Sequence, residues 1–222
     1  MMTRLVGCTA LLVVALFLSG MPAQGATITP VSGTASSNEE ALVGPDRAIN
    51  GSGLTLSSPL ESSTHSNGDP GGGGSLMFWI SAEVAPTVDF DLGNIYDVDS
   101  LVLWNFNVHV GSTDETNRGV NGFNLIASVN STFGDGDDVN FNGLTATEGS
   151  GTNSEAGQVF NMTGANGVQH VRIDVQTNYG GPKTGLSEVR FTGPLVPEPA
   201  SALMASLAGM IGVAVFRRRH RS

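Results

Sequence analysis

The sequence predicts an all-β protein built on a single antiparallel β-sandwich of about eight strands. Apolar and polar residues alternate with a period of two, which is the spacing of a strand with one buried face. Glycine-rich turn signals separate the alternating segments, and no amphipathic helix stands out between residues 26 and 196. These 171 residues are enough to bury the core of one domain.

Each predicted strand takes its buried face from this alternation. In the first, Val88, Phe90 and Leu92 alternate with Asp89 and Asp91. The other series are Val102, Trp104, Phe106, Val108 and Val110, then Phe123, Leu125, Ala127 and Val129, then Val171, Ile173 and Val175, and last Val189 and Phe191. Asn105, Asn107 and His109 form a polar row opposite the second series, so we expect this row to contact a ligand or to face water.

The first 25 residues have the pattern of a secretory signal peptide. Arg4 precedes an apolar run, and Ala23 and Gly25 are small residues at positions −3 and −1 of a cleavage site before Ala26. A membrane anchor is the alternative, but the run of about 14 residues is shorter than the roughly 20 that a helical span needs. The sole cysteine, Cys8, lies in this segment, so no intrachain disulfide can form.

Residues 197–222 form a three-part tail. It consists of Pro197, Glu198 and Pro199, then 17 uncharged residues, then a basic cluster with Arg217, Arg218 and Arg219. The uncharged run predicts a short transmembrane helix with its C-terminus in the cytoplasm. The alternative to any processing is a simple anchor that is never cut.

The order of these three parts closely resembles the PEP-CTERM sorting signal of Gram-negative bacteria. This resemblance implies recognition by an exosortase-type membrane protease and removal of the tail near Pro197 to Pro199. It also implies export through the inner membrane and delivery to the cell surface or to extracellular polysaccharide, as in a biofilm matrix.

Charge and motifs exclude several functions. The body of residues 26–196 has 5 basic and 19 acidic residues, a net charge of about −14 that repels a phosphate backbone, so we expect no nucleic-acid partner. Motifs of metalloproteases, serine hydrolases and phosphate-binding loops are absent. We therefore predict no enzyme and no catalytic residues. A polysaccharide-acting enzyme remains an alternative, because a glycosidase needs only two carboxylates.

Several segments of the body resemble, in order, those of discoidin and coagulation-factor type C modules. They are residues 47–51 (RAING), 78–81 (FWIS), 88–93 (VDFDLG), 171–173 (VRI) and 186–189 (LSEV). The resemblance implies the galactose-binding-like jelly-roll fold of carbohydrate-binding modules and adhesins. The chain departs from the animal modules in lacking their terminal disulfide, and Asn50 stands where Asp is usual.

The same resemblance implies a calcium ion between the last strand and the loop of residues 47–55, which we call the early loop. The matching positions are Asn50, Ser52, Thr55 and Glu188, and Asn supplies less charge than Asp, so the site would be weak. The alternative is a plain turn at Asn50-Gly51 with Glu188 exposed on its strand. A second acidic loop with Asp135, Asp137 and Asp138 is either a calcium site or a solvated hairpin.

A sugar site needs an aromatic ring together with amides, carboxylates or arginine, usually on loops at one end of a jelly roll. The candidate ligand-binding residues are His65, Trp79, His109, Arg118, Asn121 and Tyr179. The alternative is that Trp79 belongs to the core and that Arg118 pairs with Asp114 or Glu115. We predict an exported, non-catalytic module that binds carbohydrate or matrix, the further alternative being a structural matrix protein with no specific ligand.

Overall fold

The computed structural model describes residues 25–40, 43–67, 77–110 and 113–197, and it confirms the all-β class. Most of the predicted signal peptide and all of the tail after Pro197 lie outside these residues. The described strands are β1 (Ala26–Ile28), β2 (Ser32–Ala35), β3 (Leu54–Thr55), β4 (Thr64–His65), β5 (Trp79–Ile80), β6 (Thr87–Asn105), β7 (His109–Val110), β8 (Thr113–Asp114), β9 (Gly122–Ser128), β10 (Val139–Thr145), β11 (Glu155–Ala156), β12 (Gln158–Val175) and β13 (Gly185–Gly193). Short 3₁₀ turns span Pro45–Ala48, Leu60–Ser62 and Thr116–Arg118. Within these ranges, no helix has the length and apolar character to cross a membrane.

The main sheet contains eight strands, in agreement with the predicted number. Its order is β1-β13-β6-β12-β9-β10, with β2 added to β6 and β5 added to β13. All pairings in this sheet are antiparallel. Two small sheets, β11-β4-β3 and β7-β8, lie outside it.

The two longest strands run through both layers of the sandwich. The first half of β6 pairs with β2 and its second half pairs with β13, while β12 follows β6 along both halves. Register shifts between Asn161 and His170 interrupt that pairing, which is how a long hairpin bends. Phe90, in the first half of β6, meets Phe191 of β13 with ring centroids 6.2 Å apart. The two halves therefore face each other across one apolar core.

The alternation prediction holds in the first half of β6. Val88, Phe90 and Leu92 are buried, and Asp89 and Asp91 between them are half-buried on the other face. Gly93 and Asn94 are one of the turn signals that separate the alternating segments in the sequence, and this prediction is wrong. Gly93 sits within the continuous strand with φ +79°, a backbone angle that favours glycine. Val129 is 46% exposed because β9 ends one residue before it.

The alternation prediction is wrong between residues 101 and 108, where both faces are buried. Asn105 and Asn107 are fully buried, so they neither face water nor form an open row with His109. Loops at this end of the sandwich cover them: the Asn105 amide donates to the carbonyl oxygens of Val120 (2.7 Å) and Thr147 (2.8 Å). Polar residues on the second face of a strand thus act here as buried anchors for loops.

Candidate functional site

The early loop and the last strand meet at Glu188. This residue is fully buried on β13, and its Oε2 accepts the N–H of Gly51 at 3.1 Å. The loop can approach because Gly51 has φ +74° and no side chain. The alternative of an exposed Glu188 is therefore wrong, and the contact between this residue and the early loop is direct.

Arg190 is the cation at this contact. Its guanidinium forms an ion pair with Oε1 of Glu188, and its Nη1 also donates to the Val189 carbonyl at 2.8 Å. A Cβ placed on Gly51 would lie 3.3 Å from Nη2 of Arg190. Burial raises the pKa of Glu188 to about 7, while the Arg190 charge and the Gly51 N–H oppose that rise.

The residues expected to hold calcium do not fit a calcium ion as they are placed. Both oxygens of Glu188 are occupied by protein donors, and the Asn50 side-chain oxygen accepts the N–H of Ser52 at 2.7 Å. Thr55 is exposed. Calcium takes six to eight oxygen ligands, and here a guanidinium stands against the one carboxylate of the set. The calcium expectation stays a prediction, and this geometry gives it no support.

His65 is enclosed beside the same loop. It is 1% exposed, and its two ring nitrogens lie 2.8 Å from the Ser66 carbonyl oxygen and 2.9 Å from that of Ser52. Burial lowers the pKa of His65, and the two carbonyl contacts partly oppose this. The ring fixes the early loop and presents no surface on which a sugar could stack.

Trp79 also has no accessible surface. It is fully buried in the main core, and its Nε1 donates to the side-chain oxygen of Asn38 at 2.9 Å. A buried tryptophan whose N–H has found a partner is a packing residue. Its placement corresponds to the core alternative.

The structure brings Arg118, Asn121 and Tyr179 to one end of the sandwich. The Tyr179 hydroxyl donates to the Ala146 carbonyl at 2.5 Å, and the Ala146 N–H donates to the Asn121 carbonyl at 2.9 Å. Arg118 pairs with Glu115 at 2.9 Å, which is one of the pairings considered from the sequence. The three predicted residues are all half-buried, so each keeps some surface toward solvent.

Glu115 and Glu148 extend this loop end, and His109 lies beside it. Glu115 was one of the partners considered for Arg118 from the sequence, whereas no sequence pattern singled out Glu148. Glu148 accepts the Thr116 hydroxyl at 3.2 Å, next to the turn that carries Arg118. The half-buried His109 lies near the loop of Gly151, whose N–H donates to Asn107 at 2.6 Å. We define the loop end as Glu115, Arg118, Asn121, Glu148 and Tyr179.

The second calcium candidate is a surface cluster. Side-chain oxygens of Asp135, Asp137 and Asp138 lie within 4.8 Å of one another, the one such group among the described residues. Asn130 donates to both Asp135 (3.0 Å) and Asp137 (3.2 Å). The neighbouring Asp135 raises the pKa of Asp137 by sharing a hydrogen bond with it. Asp135 and Asp137 are exposed, as a solvated hairpin requires.

No known family model and no curated protein matches this chain. Solved structures do resemble it, at low identity. A Streptococcus pneumoniae fucose-binding module is 16% identical, covers 78% of this chain and 99% of its own, and has a TM-score of 0.49. A chitosan-binding module of a Paenibacillus chitosanase/glucanase is 18% identical, covers 75% and 96%, and has a TM-score of 0.46. The family 32 module of C. perfringens NanJ, in complex with galactose, is 13% identical, covers 75% and 98%, and has a TM-score of 0.47.

Proposed function

We propose that the body of this chain is a non-catalytic glycan-binding module whose ligand meets the loop end. The observation that supports it most is that Tyr179 meets Arg118 and Asn121, which lie far from it in sequence, at one end of the sandwich. Sugar sites combine the apolar face of a ring with a few oriented hydrogen-bonding groups. A tyrosine, an arginine, an amide and two carboxylates form such a set.

The loop that carries Tyr179 is held in place without a ligand. Nδ2 of Asn178 donates to the carbonyl oxygens of Gly181 (3.0 Å) and Lys183 (2.8 Å), and its side-chain oxygen accepts the Gly180 N–H at 2.9 Å. The Gly181 N–H in turn donates to the Asn117 carbonyl at 3.0 Å, which joins this loop to the turn of Arg118. A pre-organised loop costs less conformational entropy on binding, which favours recognition of a flexible glycan.

The carboxylates of the described residues give little support to the enzyme alternative. A glycosidase needs a carboxylic acid with a raised pKa at an open cleft. Glu188 has the raised pKa but is fully enclosed. Glu61 and Asp99 line a cavity of about 600 Å³, and both side chains are exposed to water rather than desolvated.

The test is a binding screen of the full-length protein on neutral glycans and on extracted extracellular polysaccharide. We expect Tyr179→Ala to weaken binding about tenfold, equal to about 1.4 kcal/mol, because the stacking face is removed. Tyr179→Phe is the matched control, since it keeps the ring and loses only the bond to Ala146. Absence of binding would favour the structural matrix protein, and release of reducing sugar would favour the enzyme.

We further propose that the chain is exported and sorted by an exosortase-type protease to the cell surface or extracellular matrix. This proposal rests on the sequence patterns of residues 1–25 and 197–222, since only Gly25 and Pro197 of these are described. Mass spectrometry of the surface-exposed protein tests it. We expect an N-terminus at Ala26 and loss of the segment with Arg217, Arg218 and Arg219, and a tail retained only in cells lacking the protease. A tail present in both strains would establish the uncut anchor.

A further inference from the structure

A polar groove, separate from the loop end, lies on the outer face of the sheet formed by β2, β6 and β12. Its floor is two rows of side chains paired across these strands. Ser32 pairs with Asp91 and Asp91 with His170, while Thr34 pairs with Asp89 and Asp89 with Arg172. Residues directly opposite one another in a sheet point to the same face, so each row is continuous. The residues between them, such as Phe90 and Val171, point into the core.

The loop after β9 forms the wall of this groove. Ser131 and Phe133 line the cavity together with the floor residues, and its volume is about 210 Å³. That volume would hold roughly seven water molecules at about 30 Å³ each, so it accepts a group about as large as one sugar ring. The Arg172 guanidinium lies 4.2 Å from the centre of the Phe133 ring and holds this wall against the sheet.

The groove carries unbalanced negative charge. Asp89 is matched by Arg172, with bonds of 2.6 Å from Nε and 2.7 Å from Nη2. Asp91 has no ion-pair partner of this kind: its Oδ1 accepts the Gly93 N–H at 2.7 Å and the Gln169 side-chain amide at 3.4 Å, and no hydrogen bond within the described residues engages Oδ2. His170, the titratable residue opposite Asp91 on β12, also lines the groove. Asp138 and Asp174 act electrostatically on Arg172 from nearby, so the surroundings add further negative charge.

We propose that this groove binds a hexosamine unit with a free, protonated amine, as part of a polysaccharide. The carboxylate of Asp91 would receive the ammonium group, because a charge-assisted hydrogen bond is about twice as strong as a neutral one. The hydroxyls of Ser32, Thr34 and Ser131 would meet the sugar hydroxyls. The site is separate from the loop end and deepens the proposed glycan-binding function by naming a ligand class.

The experiment compares two oligosaccharides, a glucosamine tetramer and its fully N-acetylated form, with the full-length protein at about pH 6, where such amines are protonated. We expect the free-amine tetramer to bind at least tenfold more tightly. Asp91→Asn should remove that preference. Asp99→Asn is the matched control, because it makes the same charge change on an exposed residue of the same strand, outside the groove. Ser131→Trp, at an exposed loop position, should block the groove without disturbing the core.

The outcomes separate this inference from the proposed function. Equal binding of both tetramers, no binding of either, or unchanged binding by Asp91→Asn and Ser131→Trp would overturn the groove assignment. If Tyr179→Ala alone abolishes binding, the loop-end function stands and the groove fails. If Asp91→Asn alone abolishes it, the groove stands and the loop end is not the site.

Discussion

The ion pair between Glu188 and Arg190 provides the sharpest test of how this fold is held together. Glu188 is fully buried and the Arg190 side chain is 7% exposed, so neither charge has water to solvate it. Replacing Arg190 with methionine keeps most of the apolar stem and leaves the Glu188 carboxylate buried without its cation. Breaking a buried pair in this way costs about 3–5 kcal/mol at a pH where the carboxyl is charged, so unfolding is measured well above the Glu188 pKa of about 7.

Unfolding of full-length variants in urea and by heat measures this effect. At about 2–4 °C per kcal/mol for a domain of this size, Arg190→Met should lower Tm by roughly 6–20 °C. The double variant Glu188→Gln with Arg190→Met should recover most of the loss, because glutamine is neutral and still accepts the Gly51 N–H. Arg172→Met is the comparison: its pair with Asp89 is about 29% exposed, so removal should cost only about 1 kcal/mol or less. A loss below about 1 kcal/mol for Arg190→Met would refute the view that this pair joins the loop to β13.

Three further predictions follow from the same residues. Neither calcium nor a chelator should change Tm in differential scanning fluorimetry, because Arg190 already neutralises the carboxylate of Glu188. A clear rise in Tm with calcium would contradict this geometry. The contribution of His65 to the free energy of unfolding should be lost as pH drops below about 6.5, because the unfolded chain protonates His65 before the folded one does. The raised pKa of Glu188 acts in the opposite direction below about pH 7, so the measurement is the comparison with His65→Asn. Between about pH 5 and 6.5 the wild-type free energy should fall relative to that of His65→Asn by at most about 1.4 kcal/mol per pH unit, and identical slopes would show that His65 does not contribute. Asn105→Ala should lower the free energy of unfolding in urea by more than about 3 kcal/mol, because it removes two hydrogen bonds that the side chain donates to buried backbone and two that it accepts. Asn124→Ala is the comparison: it loses one bond to Gly143 and should cost about 1 kcal/mol. Equal losses would contradict the anchor role of Asn105.

Much of the fold could be predicted from alternation, and the largest failure of this rule has a definite physical cause. Val88, Phe90, Val171 and Ile173 were assigned correctly because their strands have one face in the core and one in water. The rule failed at Asn105 and Asn107, where loops cover the second face. Periodicity describes a strand and its sheet, and it carries no information about a loop that folds back over the strand from far along the chain.

The candidate site shows the same division. The family resemblance placed Glu188 at the early loop, and the structure puts the two in contact. The role of Arg190 could not be predicted, because an arginine two residues along a strand is expected on the same face but not as a buried partner. Glu148 joins the loop end only through the tertiary fold, since it is an ordinary acidic loop residue in the sequence. Glu115 is only three residues from Arg118, so this pair could be considered from the sequence.

The buried polar groups suggest how the domain keeps its loops ready for a ligand. Asn105 and Asn107 join the end of β6 to loops near residues 119–121 and 147–152, and the Glu188–Arg190 pair joins β13 to the loop of Gly51. Each contact is a hydrogen bond shielded from water, where leaving a group unpaired is costly, so each favours one loop position strongly over others. In this arrangement protein side chains fix the loops, so the loop end has its shape without a ligand. Under the proposed function, Asn105→Ala should therefore weaken glycan binding as well as stability, although Asn105 itself is too deeply buried to touch a sugar.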